Sequence, residues 1–171
     1  MNLREIIKLS NAVGNDLILD GICYYITEAD KVAVIRTEED VSCDIKLMDG
    51  TEVIENAAFG YSINLKSIEI PNSVTSAGKF CFMQCRNLTT VKLPDSIKHL
   101  GQCFFEYCSS LESIILPDAL TSISSSTFYC CTHLKDITIP KSTISIGDYA
   151  FTNCLALENI IIPDGVQSIG E

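Results

Sequence analysis

Residues 150–170 read AFTNCLALENIIIPDGVQSIG, and four similar stretches precede them along the chain. The stretches have one common length, because each proline of the chain stands 23 residues from the next. The prolines are Pro71, Pro94, Pro117, Pro140 and Pro163. A fixed period of about 20–50 residues is typical of a solenoid, in which each repeat forms one coil that packs on its neighbours. The sequence therefore predicts a stack of 23-residue coils.

Positions counted from the prolines form columns of like residues. Twelve residues before each proline stand Phe59, Phe82, Phe105, Phe128 and Phe151. Six residues before stand Leu65, Leu88, Leu111, Leu134 and Leu157. Three residues before stand Ile68, Val91, Ile114, Ile137 and Ile160. So many registered columns indicate that like side chains stack coil over coil.

Each coil is predicted to contain two short extended segments. In Leu-x-x-Ile-x-Ile-Pro the last two apolar residues alternate with period two, which places them on one face of a strand. Proline ends this strand because it has no N–H to donate. A second extended piece, such as Val74 to Ala77, leads to a glycine that permits a reversal, and the stretch around Ala58 and Phe59 turns back through one helical turn. With constant spacing, each strand lies parallel and in register beside its counterpart in the next coil.

The columns resemble the BspA-like leucine-rich-repeat family, whose unit reads approximately Ala-Phe-x-x-Cys-x-x-Leu-x-x-Ile-x-Ile-Pro-x-x-Val-x-x-Ile-Gly. Residues 150–170 match it nearly throughout, and the resemblance covers about residues 45–171. It implies a mainly β fold: a curved, right-handed leucine-rich-repeat solenoid with a parallel sheet and short helical turns. Known members are often bacterial or protozoan surface proteins that mediate adhesion, and the family offers no catalytic residues. Ser62, Ser124 and Thr143 depart from the cysteine, glycine and aliphatic columns.

One period before Pro71, Ile45 and Leu47 fit the strand positions of a degenerate first coil that begins near residue 44. We therefore predict a solenoid of about five coils over residues 44–171, preceded by an N-terminal β cap over residues 1–43. The cap is expected to cover the core and strand edge of the first coil. Its predicted elements, a short helix and hairpin strands, are Leu3–Ser10, Asp16–Asp20, Gly21–Thr27 and Lys31–Arg36.

The C-terminal end of the solenoid is predicted to be uncapped, because the chain stops at Glu171, just before the next turn would start. Either the chain is a piece of a longer array, or the open end self-associates with a second copy. The beginning of the chain leaves a similar choice. Residues 1–8 lack the apolar core of a secretory signal, which favours the cytoplasm unless an export signal is missing, whereas the resemblance favours the cell surface.

Composition restricts the partners. The formal net charge of −10 repels nucleic acid and anionic lipid, and no stretch approaches the roughly 20 apolar residues needed for membrane insertion. Cysteines recur at the repeat period, which predicts buried free thiols rather than disulfides or a zinc site. These periodic residues are Cys85, Cys108, Cys131 and Cys154. His99 and His133 are predicted to be exposed, and neither a catalytic residue, a metal nor a cofactor is expected.

With the apolar columns in the core, function is expected on the variable strand positions of the concave face. The candidate protein-binding residues are Lys66, Glu69, Thr90, Lys92, Glu112, Ser113, Ile115, Lys135, Asp136, Thr138, Glu158, Asn159 and Ile161. The alternative is an ordinary solvated strand face. We predict a non-enzymatic module for macromolecular binding or adhesion, whose partner is another protein or a component of the extracellular matrix. An intracellular protein-interaction scaffold is the second hypothesis.

Overall fold

The computed structural model describes residues 2–12, 17–37 and 43–171. These ranges contain the helix α1 (Leu3–Ala12) and short strands. In chain order the strands are β1 (Leu17–Leu19), β2 (Ile22–Ile26), β3 (Val32–Thr37), β4 (Asp44–Lys46), β5 (Val53–Ile54), β6 (Ser67–Glu69), β7 (Ser76–Ala77), β8 (Thr90–Lys92), β9 (Ser113–Ile114), β10 (Ser122–Ile123), β11 (Asp136–Ile137), β12 (Ser145–Ile146) and β13 (Ser168–Ile169).

The predicted β-solenoid with parallel, registered strands is confirmed. The first strand face consists of β4, β6, β8, β9 and β11 together with residues 159–161. On it Ile45 pairs with Ile68 and Ile68 with Val91, each one period apart. The second strand face consists of β5, β7, β10, β12 and β13 together with His99, and it pairs in the same way. Equal coil length therefore sets the register of both faces.

A third side of each coil, the turn face, consists of residues 57–61, 80–84, 103–107, 126–130 and 149–153. Alternate N–H groups here donate to the next coil, for example Ala57 to the carbonyl oxygen of Lys79 at 2.8 Å and Tyr61 to that of Met83 at 2.7 Å. The segments are hydrogen-bonded turns rather than the predicted helical turns. The difference arises because each segment contains two residues with positive φ, which a right-handed helix does not admit.

The residues with positive φ form two columns on the turn face, and glycine is absent from both. The columns are Ala57, Phe80, Cys103, Ser126 and Tyr149, and Tyr61, Gln84, Tyr107, Cys130 and Asn153. A left-handed conformation costs an L-residue roughly 1–2 kcal/mol. Nine of these ten residues donate their N–H to a carbonyl of the next coil, so stacking offsets the cost.

We expect Ala57→Gly to leave stability unchanged or to raise it by up to about 1 kcal/mol. Ala57 is exposed and has a φ of 56°, and glycine adopts this conformation without the penalty of a Cβ. Ala29→Gly is the matched control, because Ala29 is also exposed in a turn but has no positive φ. Ala29→Gly should lower the free energy of unfolding by about 0.5–1 kcal/mol, because glycine loses more backbone freedom on folding. Urea unfolding followed by circular dichroism checks both, and a loss at Ala57 equal to that at Ala29 would contradict the expectation.

A continuous stack of phenylalanine rings forms the centre of the solenoid. Phe59 stacks on Phe82 with ring centroids 5.2 Å apart, and Phe82 stacks on Phe105 at 5.4 Å. The stack continues through Phe128 to Phe151. The leucine and isoleucine columns surround it in one hydrophobic cluster that also includes Ile7 of α1. The core is thus shared along the whole axis instead of being divided between coils.

The N-terminal elements pack on the first coil. Strands β1, β2 and β3 are antiparallel, and β3 then pairs in parallel with β5, which extends the second strand face. The guanidinium of Arg4 lies 2.6 Å from the carboxylate of Glu52 and 2.8 Å from that of Asp30. Met1, residues 13–16 and residues 38–42 of the predicted cap lie outside the described residues. The division of the chain at residue 43 and self-association through the other end stay predictions.

Candidate functional site

The candidate binding residues lie together on the first strand face. Glu69 is half-buried and the other candidates are exposed. Strands β6, β8, β9 and β11 hold the candidate residues of the second to fifth coils in register, because the inward isoleucines and valines of these strands are packed in the core. Residues 159–161 continue the face but belong to no strand, although the repeat pattern predicts one there. Whether this surface binds a protein stays a prediction.

Ion pairs between coils neutralise the charges on part of this face. The carboxylate of Glu69 lies 3.0 Å from Nζ of Lys92 and 3.6 Å from Nζ of Lys46. The hydrogen bond from Lys92 is the main reason that the pKa of Glu69 is lowered. In the same way Lys135 lies 2.8 Å from Glu112 and lowers its pKa. Exposed pairs of this kind add little to stability, but they leave less charge available for a partner.

The outward column two residues before each proline, and before Met48 in the first coil, changes character along the solenoid. Its first three members are Lys46, Glu69 and Lys92. The next three are Ile115, Thr138 and Ile161. Ile115 is 88% exposed and Ile161 is 83% exposed. This column therefore has a charged half and a less polar half. We call the second half, Ile115, Thr138 and Ile161, the isoleucine column.

A groove of about 650 Å³ adjoins the isoleucine column, with Thr138, Ile161, Pro140 and Pro163 among its lining residues. Asp118 and Lys141 also line it, and sequence reasoning missed both. A usable signal existed, because these residues directly follow prolines at a position that varies between coils. Lys46 was missed as well, although it stands one period before Glu69.

A second groove of about 610 Å³ lies on the second strand face, where sequence reasoning placed no site. Its lining includes the hydroxyl column Ser122, Ser145 and Ser168. At the end of this column, Nδ1 of His99 lies 3.3 Å from Oγ of Ser122 and 3.3 Å from Oγ1 of Thr121. Both predicted exposed histidines, His99 and His133, are indeed exposed.

The periodic cysteines are buried free thiols, as predicted. Each donates its S–H to the carbonyl oxygen of a phenylalanine 26 residues earlier, for example Cys85 to Phe59 at 3.0 Å and Cys108 to Phe82 at 3.1 Å. Burial raises the pKa of Cys85 to about 12 and that of Cys154 to about 11. Among the described residues, no group of three or more His, Cys, Asp or Glu side chains is placed to hold a metal ion.

Thiol labelling should distinguish the cysteines by burial. Cys43 is exposed, Cys130 is half-buried, and the other seven are buried. Because the reacting species is the thiolate, we expect a disulfide reagent at pH 8 to modify one thiol of the native protein quickly and a second one slowly. The remaining seven should react only after unfolding. Cys43→Ser should abolish the fast phase, and three or more fast thiols in the native protein would contradict the predicted pattern.

Stacked 23-residue coils with two parallel strand faces and leucine and phenylalanine columns define a leucine-rich-repeat solenoid. The sequence matches the BspA type Leucine rich repeat region in six copies over residues 44–171. The chain therefore belongs to this family, and the sequence-based resemblance is confirmed. The leucine-rich-repeat fold is typically a scaffold for binding other proteins, so the chain is assigned as a protein-interaction module of that general kind. No curated protein matches the chain.

Solved structures of bacterial leucine-rich-repeat proteins are similar to this chain. A leucine rich cell surface protein from Faecalibacterium prausnitzii has a TM-score of 0.77 and 33% identity, over 83% of this chain and 38% of that chain. The T. pallidum Leucine Rich Repeat protein has a TM-score of 0.78 and 23% identity, over 91% of this chain and 82% of that chain. A leucine-rich repeat protein from Eubacterium ventriosum has a TM-score of 0.66 and 20% identity, over 86% and 48%. The latter two show the fold alone.

The chain thus spans 38% of the length of the F. prausnitzii protein. In the part of the chain that the structure describes, no helix has the length and the apolar character required to cross a membrane.

Proposed function

We propose that this chain is a cell-surface adhesion module that binds a protein or a matrix component, without catalysis, through the isoleucine column on the first strand face. The observation that supports this most is the exposure of Ile115 and Ile161, at 88% and 83%. Burial of an isoleucine side chain contributes roughly 1.5–3 kcal/mol. Two of them in one column, of which Ile161 lines a groove, can therefore supply much of the binding energy of a partner.

The position of the isoleucines supports binding more than their exposure alone. Single exposed apolar residues are ordinary on protein surfaces, but these two share one column, and Ile161 lines the groove together with Pro140 and Pro163. Neighbouring polar groups can form the rim of an interface. Interfaces commonly combine an apolar centre with such a polar rim.

The surface location is supported by the F. prausnitzii protein, which is a leucine rich cell surface protein and is 33% identical to this chain. This chain corresponds to only part of that protein, so adhesion and the identity of the partner belong to the proposal.

The test compares two faces of the same solenoid. The full chain is immobilised and exposed to fibronectin, laminin, collagen and a cell-surface protein extract. The double variant Ile115→Asp, Ile161→Asp should lose at least tenfold in binding to the retained protein. Ile144→Asp is the matched control, because Ile144 is 47% exposed and lies outside the isoleucine column, just before β12, so binding should persist. Equal binding by all three forms, or no retained protein at all, would contradict the proposal.

A further inference from the structure

The isoleucine column has room for one apolar side chain of a partner. Neighbouring coils are about 4.8 Å apart, so Ile115 and Ile161, two coils apart, are separated by about 9.6 Å. The shorter side chain of Thr138 lies between them. Carbon atoms are in contact at about 3.5–4 Å, so an inserted aliphatic or aromatic side chain can touch both isoleucines and rest on Thr138.

Three carboxylates without ion-pair partners belong to the adjoining groove or to the coil of Ile161. Asp118 and Asp136 line the adjoining groove, and Glu158 is exposed in the coil of Ile161. In the described ranges, Lys92 and Lys135 are paired with carboxylates on the same face, whereas none of these three acidic residues has a cationic partner within ion-pair distance. Lys141 is the cationic residue that lines the groove. The local charge is therefore acidic.

The whole chain has the same sign of charge, at −10. A negative field of this kind attracts cationic partners and repels anionic ones. Combined with the apolar gap, it distinguishes one class of partner from others: an acidic segment would be repelled, and a purely polar one would leave the isoleucines exposed to water.

We propose that the isoleucine column and its groove bind a basic-apolar segment of a partner protein. One large apolar residue of this segment inserts over Thr138, between Ile115 and Ile161, and flanking lysine or arginine side chains pair with Asp118, Asp136 and Glu158. This inference rests on the proposed function, because it names the chemistry of the partner for the same surface.

The experiment uses the full chain and a phage-displayed library of random 12-residue peptides. Peptides enriched on the chain should carry Leu, Ile, Phe or Trp within two residues of Lys or Arg, several-fold more often than the unselected library. A resynthesised peptide should lose at least tenfold in affinity on Ile115→Ser, Ile161→Ser. It should lose about three- to tenfold on Asp118→Asn, Asp136→Asn at low salt, and less as salt screens the charges.

Asp95→Asn is the matched control, because Asp95 follows Pro94 as Asp118 follows Pro117 but does not line the groove. It should leave the affinity unchanged, and circular dichroism should show that every variant is folded. Enrichment of acidic or uncharged peptides, equal binding by the variants, or no enrichment would overturn the inference. If the matrix or cell-surface protein is still captured through the isoleucine column, only the partner chemistry is wrong. If that capture is also independent of the isoleucines, the proposed function fails too.

Discussion

Phe105→Ala is expected to lower the free energy of unfolding by about 3–5 kcal/mol. Phe105 is fully buried and stacks between Phe82 at 5.4 Å and Phe128 at 5.6 Å, with Phe104 edge-on at 4.8 Å. Truncation removes these ring contacts and leaves a cavity in the centre of the stack. Neighbouring coils cannot close it, because their spacing is set by backbone hydrogen bonds on three sides.

Phe151→Ala is the matched control, because the same residue stands in the same column. Phe151 is only half-buried, and its stacking partner is Phe128 at 5.4 Å. Phe151→Ala should lower the free energy of unfolding by at least about 1 kcal/mol less than Phe105→Ala, since the cost scales with the cavity created. Denaturant unfolding followed by circular dichroism measures both. Equal decreases in the free energy of unfolding for the two variants would contradict this expectation, because they would show that a stacking neighbour on each side does not raise the cost of truncation.

Gly101→Ala should destabilise the chain by about 3 kcal/mol, at the upper end of the range for overpacking. A Cβ at Gly101 would overlap the carbonyl group of Gly78 and would lie 2.6 Å from the backbone nitrogen of Lys79. Both contacts are with the backbone of the preceding coil, which cannot rotate away as a side chain can. The methyl group would therefore force two coils apart and weaken the second strand face.

Gly165→Ala is the control for this glycine. A Cβ at Gly165 would lie 3.3 Å from the nearest atom, the carbonyl oxygen of Lys141, and alanine already occupies the equivalent position as Ala119. The change should be neutral or should raise stability by about 0.4–1 kcal/mol, because alanine restricts the unfolded chain. Thermal or denaturant unfolding measures the stability of both variants. If Gly101→Ala is no less stable than Gly165→Ala, the expectation is wrong and the coils can separate without cost.

Much of the architecture was predictable because equivalent positions of successive repeats have the same packing environment. Leu88 and Leu111 are equivalent by spacing, so both had to be buried, and both are. The pairing of Ile68 with Val91 follows from the same equal spacing. The helix at the N-terminus was also visible locally, as the apolar positions of Leu3 and Ile7 lie on one helical face.

The site was only partly predictable. The outward position of Ile115 and Ile161 follows from the alternation of a strand, but the groove beside Ile161 also needs Asp118 and Lys141, which lie beyond the strands in sequence. The ion pairs between Glu69 and its two lysines were visible only through the repeat, because Lys46, Glu69 and Lys92 share one column at intervals of 23 residues. Local patterns do not show which charges are neutralised by another coil.

The coil length, the inward columns and the parallel register follow from the repeat alone, because side chains that recur at one interval can be buried together only when equal coils stack. The left-handed conformation of residues such as Ala57 and Gln84 and the pairing of β3 with β5 are visible only in the folded chain. Those features depend on backbone hydrogen bonds between coils. Every residue type except proline can donate such a bond, so the side chain leaves no pattern from which the bond could be predicted.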